Sequence, residues 1–103
     1  MKAEIYFNQI LAGVLEKKEN NYTFSYEENY LKSTNPAISF SFPKQSTLFQ
    51  STSLFPFFSG LLSEGVNKEI QCKVYQIDEK DEFTRLLKTA QNDTIGAITV
   101  HEI

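Results

Sequence analysis

The sequence predicts an α+β fold, in which a small antiparallel sheet or partly open barrel of about five strands carries two to three short helices packed on one side. Apolar and polar residues alternate with a period of two through much of the first 42 residues, which is typical of half-buried strands. After residue 53 the apolar residues recur at helical spacing, and one alternating segment follows near residue 100. Strands that cluster before helices favour an α+β class with a mainly antiparallel sheet.

Three strands are predicted at the start of the chain. The first spans Ala3 to Phe7 and leads into Asn8-Gln9, where asparagine tolerates the left-handed backbone of a tight hairpin turn. The second runs from Ile10 to about Lys17 and contains Gly13, which indicates a bulge or a close approach of another backbone. After a polar turn, a third strand covers residues 22–26, where aromatic residues alternate with polar ones.

The middle of the chain predicts a helical turn and a fourth strand. The turn covers Glu28 to Ser33 and ends at Asn35-Pro36, because proline disfavours the helical conformation for the residue before it. Apolar residues alternate with serines over residues 38–42, which predicts a short strand that Pro43 closes. The phenylalanines with periodic neighbours are predicted to lie in the core: Phe40, Phe42, Phe57 and Phe58.

The second half predicts helices. Between Leu54 and Leu62 the apolar residues fall at i, i+3, i+4, i+7 and i+8, which is one stripe of a helix. Ser53 is its predicted N-cap, Pro56 lies in the first turn where its missing N–H is harmless, and Gly65 is a stop or kink. A second short helix continues at helical spacing through three apolar residues: Val66, Ile70 and Val74.

A third helix and a last strand complete the predicted fold. Asp78 and Asp81 are typical capping acids at a helix start. Asn92 is the predicted end of this helix. The final strand covers Ile95 to Glu102 and returns to the sheet with Ile98 and Val100 on one face. The apolar stripe of the helix consists of Phe83, Leu86, Leu87 and Ala90.

Length and composition limit the class of protein. A chain of 103 residues with 41% apolar and 22% charged residues is typical of one soluble globular domain, predicted here over residues 1–103. The net charge of −3 provides no basic field for phosphate backbones, so we expect no direct nucleic-acid contact. No run of 18 apolar residues is present, so we expect no membrane span, and without a secretory signal layout we expect a cytoplasmic protein.

The chemistry of an enzyme or metal protein is absent from the sequence. Cys72 is the single cysteine and His101 the single histidine, which cannot form a zinc site, and no nucleophile lies near His101 in sequence. Cys72 is interpreted as a buried or half-buried helical residue and not as a nucleophile. The glycines form no phosphate-binding loop. Tyr22 and Tyr26 share a strand face, but without an RNA-binding motif sheet packing explains them better. We predict no catalytic, cofactor-binding or metal-binding residue.

A charge-poor aromatic segment is the most distinctive feature of the sequence. Between Ser33 and Ser63 the only charged residue is Lys44, although six of the nine phenylalanines lie there. Core packing with a neutral loop would explain this composition. A protein-binding surface would explain it too, because the centres of interfaces lose charge and gain aromatic residues. Three residues that fit no periodic stripe are the candidate contacts with a partner: Leu48, Phe49 and Phe55.

The order of several blocks resembles the N-terminal domain of HipA-type toxin kinases over nearly the whole chain. The most specific block runs from Phe57 to Gly65, which is similar to the family's FFxxLLPEG signature, with Ser63 in place of its proline. The segment over residues 93–100 is similar to the family's closing GxDxxGAVxV pattern, with Asn92 where glycine is usual. Two earlier blocks also match, at residues 5–15 and at residues 38–43.

This resemblance implies a function without catalysis. HipA proteins continue into a kinase, whereas this sequence carries no kinase motif. It is therefore similar to the free-standing HipS proteins of three-part HipB–HipS–HipT toxin–antitoxin systems. The resemblance implies an antitoxin that binds and neutralises a separately encoded HipT/HipA-type serine/threonine kinase, with a HipB-type DNA-binding protein as third member. The turn at Ser63, Glu64 and Gly65 is a further predicted contact.

Two other functions stay open on the sequence. The chain could be a structural or dimerisation subunit of a split HipA-type kinase, without inhibitory activity. It could also be a nucleic-acid-binding β module, although its charge makes this the weaker hypothesis. Co-expression with the kinase separates the first alternative from an antitoxin, and a binding assay with DNA or RNA tests the second.

Overall fold

A computed structural model describes residues 1–62, 72–74, 76–78, 81–89 and 97–103. Three strands come first, and the longest described helix lies in the second half of the chain, which agrees with the α+β prediction. Residues 72–74 are also helical. The strands are β1 (Lys2–Phe7), β2 (Ile10–Lys18), β3 (Asn21–Tyr26), β4 (Phe49–Ser51) and β5 (Ile98–Glu102), and the helices are α1 (Glu28–Lys32), α2 (Pro56–Ser59) and α3 (Glu82–Thr89).

The five strands form one open antiparallel sheet in the order β4-β3-β2-β1-β5. The last strand pairs with the first, with Ile5 opposite Val100, so the chain returns to the sheet after its helices as predicted. On this pair Ile5 and Val100 are buried, whereas Glu4 and His101 on the other face remain partly exposed. One face of the sheet therefore carries the core, and the predicted fold class is confirmed.

The hairpin between β1 and β2 has the predicted left-handed turn. Asn8 and Gln9 have φ angles of 50° and 68°, which match the two positive φ values of a tight hairpin turn. Beyond the turn the register shifts, because Ile5 lies opposite Gly13 whereas Tyr6 lies opposite Leu11. The extra residue on β2 makes a bulge next to Gly13, so the glycine-based prediction is confirmed.

The predicted fourth strand is wrong in its position. Residues 38–42 form a tight turn closed by the Phe42 N–H, which donates to the Ser39 carbonyl at 3.1 Å, and an isolated bridge joins these two residues. Serines on both sides of Phe40, between two prolines, favour a turn over a paired strand. The fourth strand of the sheet is β4, a three-residue edge strand. It lies between Pro43 and Ser53, where the sequence pattern predicts neither a strand nor a helix.

The first predicted long helix is also shorter than expected. Helix α2 covers four residues, and the residue at its N-cap position is Phe55, so Ser53 does not cap it. Pro56 occupies the first helical position, as predicted. Leu54 and Phe55 are buried although they lie outside any helix or strand, so their burial does not need a helix. Three expectations fall outside the described residues: the stop at Gly65, the helix through Val66 and Ile70, and the start of the last strand at Ile95.

Helix α3 begins where the capping acid predicts. The Asp81 carboxylate accepts the Thr84 backbone N–H at 3.1 Å and the Thr84 hydroxyl at 2.8 Å, which satisfies an N–H that the first helical turn leaves unpaired. The Asp78 carbonyl in turn accepts the Asp81 N–H at 2.9 Å. The predicted end at Asn92 lies outside the described residues. The apolar stripe is buried at Phe83, Leu86 and Leu87.

The core lies between the covered sheet face and the helices. Its members come from every strand except β4, from all three helices and from the segments around α2. Phe24, Tyr30, Phe58 and Phe83 are the largest of its fully buried side chains. Among the described residues, no helix is long and apolar enough to cross a membrane.

Candidate partner-binding surface

An aromatic cluster centred on Phe42 lies where the charge-poor segment meets the sheet. The Phe42 side chain is buried, and its ring centroid lies 4.9 Å from that of Phe24 and 5.0 Å from that of Phe49. Edge-to-face and tilted rings at such distances add favourable contacts to their burial. Three further rings complete the surroundings of Phe42: Phe55 at 5.1 Å, Phe58 at 5.6 Å and Phe57 at 5.9 Å.

Two buried tyrosines fix the loop that carries Phe42. The Tyr26 hydroxyl donates to the Phe42 carbonyl and accepts the Ile38 N–H at 3.1 Å. The Tyr30 hydroxyl donates to the Pro36 carbonyl at 2.6 Å. The two tyrosine rings stack with their centroids 5.8 Å apart. Residues 36–42 are therefore held from below at three backbone positions, in a segment that belongs to no strand or helix.

Lys44, the single charged residue of the charge-poor segment, binds backbone carbonyl groups. The Lys44 ammonium donates to the carbonyls of Ser33 and Asn35, both at 2.8 Å, and lies 5.3 Å from the centre of the Tyr30 ring. The Ser33 hydroxyl donates to the Tyr30 carbonyl at 2.6 Å, which ties the start of the loop to the end of α1. Lys44 thus holds the loop together, and the surface above the loop stays neutral.

Phe40 at the tip of this loop is fully exposed, so its predicted place in the core is wrong. The turn that presents it is closed by its flanking serines, because Ser41 N–H donates to the Ser39 hydroxyl oxygen at 3.2 Å and the two hydroxyls lie 3.0 Å apart. A turn reverses the direction of the chain between Ser39 and Phe42, so the period of two no longer applies to Phe40. The signal in the sequence that could indicate this turn is the pair of serines on either side of Phe40, between Pro36 and Pro43.

A shallow groove of about 550 Å³ runs beside Phe40. Its walls are mostly apolar, and its volume lies within the range of about 300–1,000 Å³ that is common for ligand pockets. Phe57 of α2 contributes one wall, and its half-buried ring also packs against the core. The remaining walls consist of Pro36, Ala37, Ile38, Ser39, Phe40 and Pro43.

The structure separates the residues that the sequence proposed as partner contacts. Leu48 is 43% exposed, whereas Phe49 is half-buried on β4 and Phe55 is 8% exposed. Phe49 and Phe55 come together around Phe42, so core packing accounts for their apolar character. Their contact with a partner, like that of Leu48, stays a prediction. The predicted contact turn of Ser63, Glu64 and Gly65 lies outside the described residues.

The residues rejected as catalytic candidates have ordinary surroundings. Cys72 is buried and helical, as predicted. His101 lies on β5, where its Nε2 is 3.3 Å from the Thr99 hydroxyl and its ring meets the edge of the Tyr6 ring at 5.1 Å. Tyr26 is buried, so it cannot offer a stacking face to a base. In the described part of the chain, no three metal-binding side chains lie together.

Burial gives the two loop-fixing tyrosines a pH-dependent effect on stability. Burial raises the pKa of the Tyr26 hydroxyl above its usual value of 10, although the hydrogen bond from Ile38 partly offsets this, and burial also raises the pKa of Tyr30. The folded chain thus holds these protons more tightly than the unfolded chain. Their contribution to stability is complete below pH 10 and is lost as the pH rises through the raised pKa values.

For this reason we expect the urea concentration at the unfolding midpoint to decrease when the pH is raised from 9 to 11. The double variant Tyr26→Phe with Tyr30→Phe is less stable at pH 9, because it lacks the three hydrogen bonds that the two hydroxyls make, each worth about 1 kcal/mol. Its midpoint should change less over the same interval of pH. An equal change in both proteins would contradict the assignment of the alkaline effect to these hydroxyls.

Comparison with known proteins decides the family. The HipA N-terminal domain family matches residues 3–101, which is almost the whole chain. The chain belongs to the HipA N-terminal domain family. Membership of this family supports a role related to toxin–antitoxin systems. It also confirms the resemblance to the HipA N-terminal domain that the sequence blocks indicate.

One sequence relative and one solved structure are similar to this HipA-type domain. An uncharacterised protein of Haemophilus influenzae is 34% identical over 90 residues, which make up 87% of this chain and 81% of that protein. The solved structure of the N-terminal domain of HipA toxin is 27% identical, covers 98% of this chain and 92% of its own, and has a TM-score of 0.73. The fold of this chain is therefore that of the toxin domain, and its Haemophilus relative is a protein of similar size.

Proposed function

We propose that this HipA-type domain is a non-enzymatic antitoxin that binds a separately encoded HipT/HipA-type serine/threonine kinase and neutralises it. The observation that carries the proposal is the family match over residues 3–101. The domain would occupy on a separate kinase the place that the N-terminal domain holds in HipA. A cytoplasmic location follows from a cytoplasmic kinase, and a HipB-type DNA-binding protein would be the third member of the complex.

The size of the Haemophilus relative supports a domain that acts as a protein of its own. The matched residues make up 81% of that protein, which leaves no space for a kinase domain. A domain that is separated from its kinase must bind it without a covalent link, so it needs a surface that presents apolar side chains. In support of this, the charge-poor segment exposes Leu48, which precedes Phe49 of the aromatic cluster in the sequence. We propose Leu48 and the turn at residues 63–65 as contacts.

Co-expression with a HipT/HipA-type kinase, from the neighbouring gene if that gene encodes one, tests the proposal. Induction of the kinase alone should stop growth of the host, and co-expression of the domain should restore it. The control is a kinase whose catalytic aspartate is replaced by asparagine, which should be harmless with or without the domain. Purified domain should also reduce phosphate transfer from ATP by the kinase in proportion to the complex formed.

The alternative, a structural subunit of a split kinase, gives the opposite result. Toxicity would then persist or increase on co-expression, and the purified domain would raise kinase activity or solubility. Such a result would refute the antitoxin and leave the family assignment intact. Failure of the two proteins to form any complex would refute both functions.

A further inference from the structure

Phe40 is the one large apolar side chain of the described loop around residues 36–43 that projects fully into solvent. Exposure of a phenylalanine contributes nothing to the stability of the isolated chain, since its apolar surface stays in water. Two residues further on, Phe42 fills the core, so the same turn divides its aromatic side chains between the inside and the outside. Phe40 is therefore available for a contact that the isolated chain does not make.

The loop holds Phe40 in a fixed place. Its backbone is bonded on either side of the tip, by the Tyr26 hydroxyl at Ile38 and Phe42 and by the Tyr30 hydroxyl at Pro36. Binding by a segment that is already ordered avoids most of the entropy loss that a flexible loop would suffer. A rigidly presented aromatic beside a groove has the features of an anchor residue in an interface.

The scarcity of charged side chains near the groove indicates which kind of molecular surface can bind there. The only charge between Ser33 and Ser63 is Lys44, and its ammonium is bonded to the carbonyls of Ser33 and Asn35. A charged side chain brought onto this surface would lose water without gaining an opposite charge, which is unfavourable. The second cavity, about 380 Å³, offers a contrast, because it is lined by Glu16, Lys18 and Glu19 among polar residues. Charge complementarity therefore favours a neutral, apolar partner at the Phe40 groove.

We propose that the Phe40 groove docks an uncharged, apolar segment on the surface of the kinase, with Phe40 as its anchor. This inference rests on the proposed function, because it names the surface through which the domain would hold its kinase. Phe40 inserts between apolar side chains of the kinase, and apolar side chains of the kinase fill the groove between Pro36, Pro43 and Phe57. The contact surface thus lies beside the aromatic cluster and includes Phe40, for which the alternation over residues 38–42 predicts burial.

The test measures the affinity of the purified kinase for the domain and its variants by isothermal titration calorimetry. Phe40→Ala should raise the dissociation constant about 30-fold, as expected for loss of an anchor, and leave the melting temperature unchanged. Phe40→Asp should raise it further, because the new carboxylate is desolvated without a counter-charge. The matched control is Ile103→Ala, an exposed apolar residue beyond β5 on the opposite edge of the sheet, which should bind as the unchanged domain does.

Salt provides an independent readout. An uncharged contact should change little in affinity between low and high ionic strength, whereas a contact made by charges weakens as salt screens it. A steep loss of affinity at high salt would overturn the apolar occupant. Unchanged affinity of Phe40→Ala would overturn this docking surface while the antitoxin stands. Absence of any binding by the unchanged domain would overturn both. A domain that is dimeric, and becomes monomeric on Phe40→Ala, would assign the groove to a second copy and overturn the kinase as its occupant.

Discussion

Replacement of Phe42 by alanine should lower the free energy of unfolding by about 4 kcal/mol, as expected when a fully buried phenylalanine leaves a cavity. The Phe42 ring is buried and lies within 5.9 Å of the rings of Phe24, Phe49, Phe55, Phe57 and Phe58. These rings come from β3, β4, α2 and the loops, so their shared contact joins the sheet to the charge-poor segment. A domain of this size has roughly 5–15 kcal/mol of stability in total, so the variant should be close to its unfolding threshold at 37 °C.

Phe40→Ala is the matched control for this experiment. The two residues have the same side chain and are separated by one serine, but Phe40 is fully exposed. Its truncation should change the free energy of unfolding by no more than about 0.5 kcal/mol, as is usual for surface substitutions. Urea unfolding followed by circular dichroism measures both variants. Similar losses in the two would show that both rings are buried, and would contradict the turn at residues 39–42.

The contrast between Phe40 and Phe42 shows what local sequence patterns can and cannot predict. In β1 and β3 the alternation predicts the buried face correctly, because each strand continues for six residues and has a paired neighbour. Over residues 38–42 the same alternation is present, but serine and proline allow a turn, and the chain reverses within it. Five residues of alternation do not distinguish a strand from a turn that happens to bury its two ends.

The candidate surface could be predicted only as a segment. Absence of charge between Ser33 and Ser63 identified the right part of the chain, because both a core and an interface exclude unpaired charge. The division of that segment into buried Phe55 and exposed Phe40 depends on contacts between distant residues. The decisive contacts are the two hydrogen bonds between the Tyr26 hydroxyl and a loop 12 to 16 residues away: the hydroxyl donates to the Phe42 carbonyl and accepts the Ile38 N–H. No local sequence pattern records them.

Those same bonds link the stability of the domain to its proposed contact. The tyrosines belong to β3 and α1, elements that the sequence predicts well, and they fix a loop that the sequence does not predict. A rigid sheet can therefore position an irregular binding loop, as is common where function lies on loops. Variants that weaken the sheet should impair binding indirectly, so binding measurements must be read beside the melting temperature of each variant.

Gly13→Ala should be the most destabilising substitution at a glycine of the described chain, with a loss of about 3 kcal/mol, near the upper end of the range for overpacked sites. A Cβ atom on Gly13 would lie 2.3 Å from the Ser25 carbonyl oxygen and 2.9 Å from the ring of Phe24. Both contacts are shorter than van der Waals separation, and one of them is to backbone, which cannot rotate away. Gly13 lies at the bulge of β2 and pairs with both neighbouring strands, so any shift there disturbs the centre of the sheet.

Gly60→Ala is the matched substitution for this comparison. Gly60 has φ −65° and ψ −16°, which alanine adopts readily, and its Cβ would lie no closer than 3.3 Å to the Pro56 carbonyl oxygen. We expect a change within about 1 kcal/mol, since alanine also restricts the unfolded chain. Urea unfolding of the two variants under one set of conditions measures the difference. Should Gly13→Ala prove as stable as Gly60→Ala, strands β2 and β3 cannot lie as close together as their register places them. In that case the bulge would not be what requires glycine at this position.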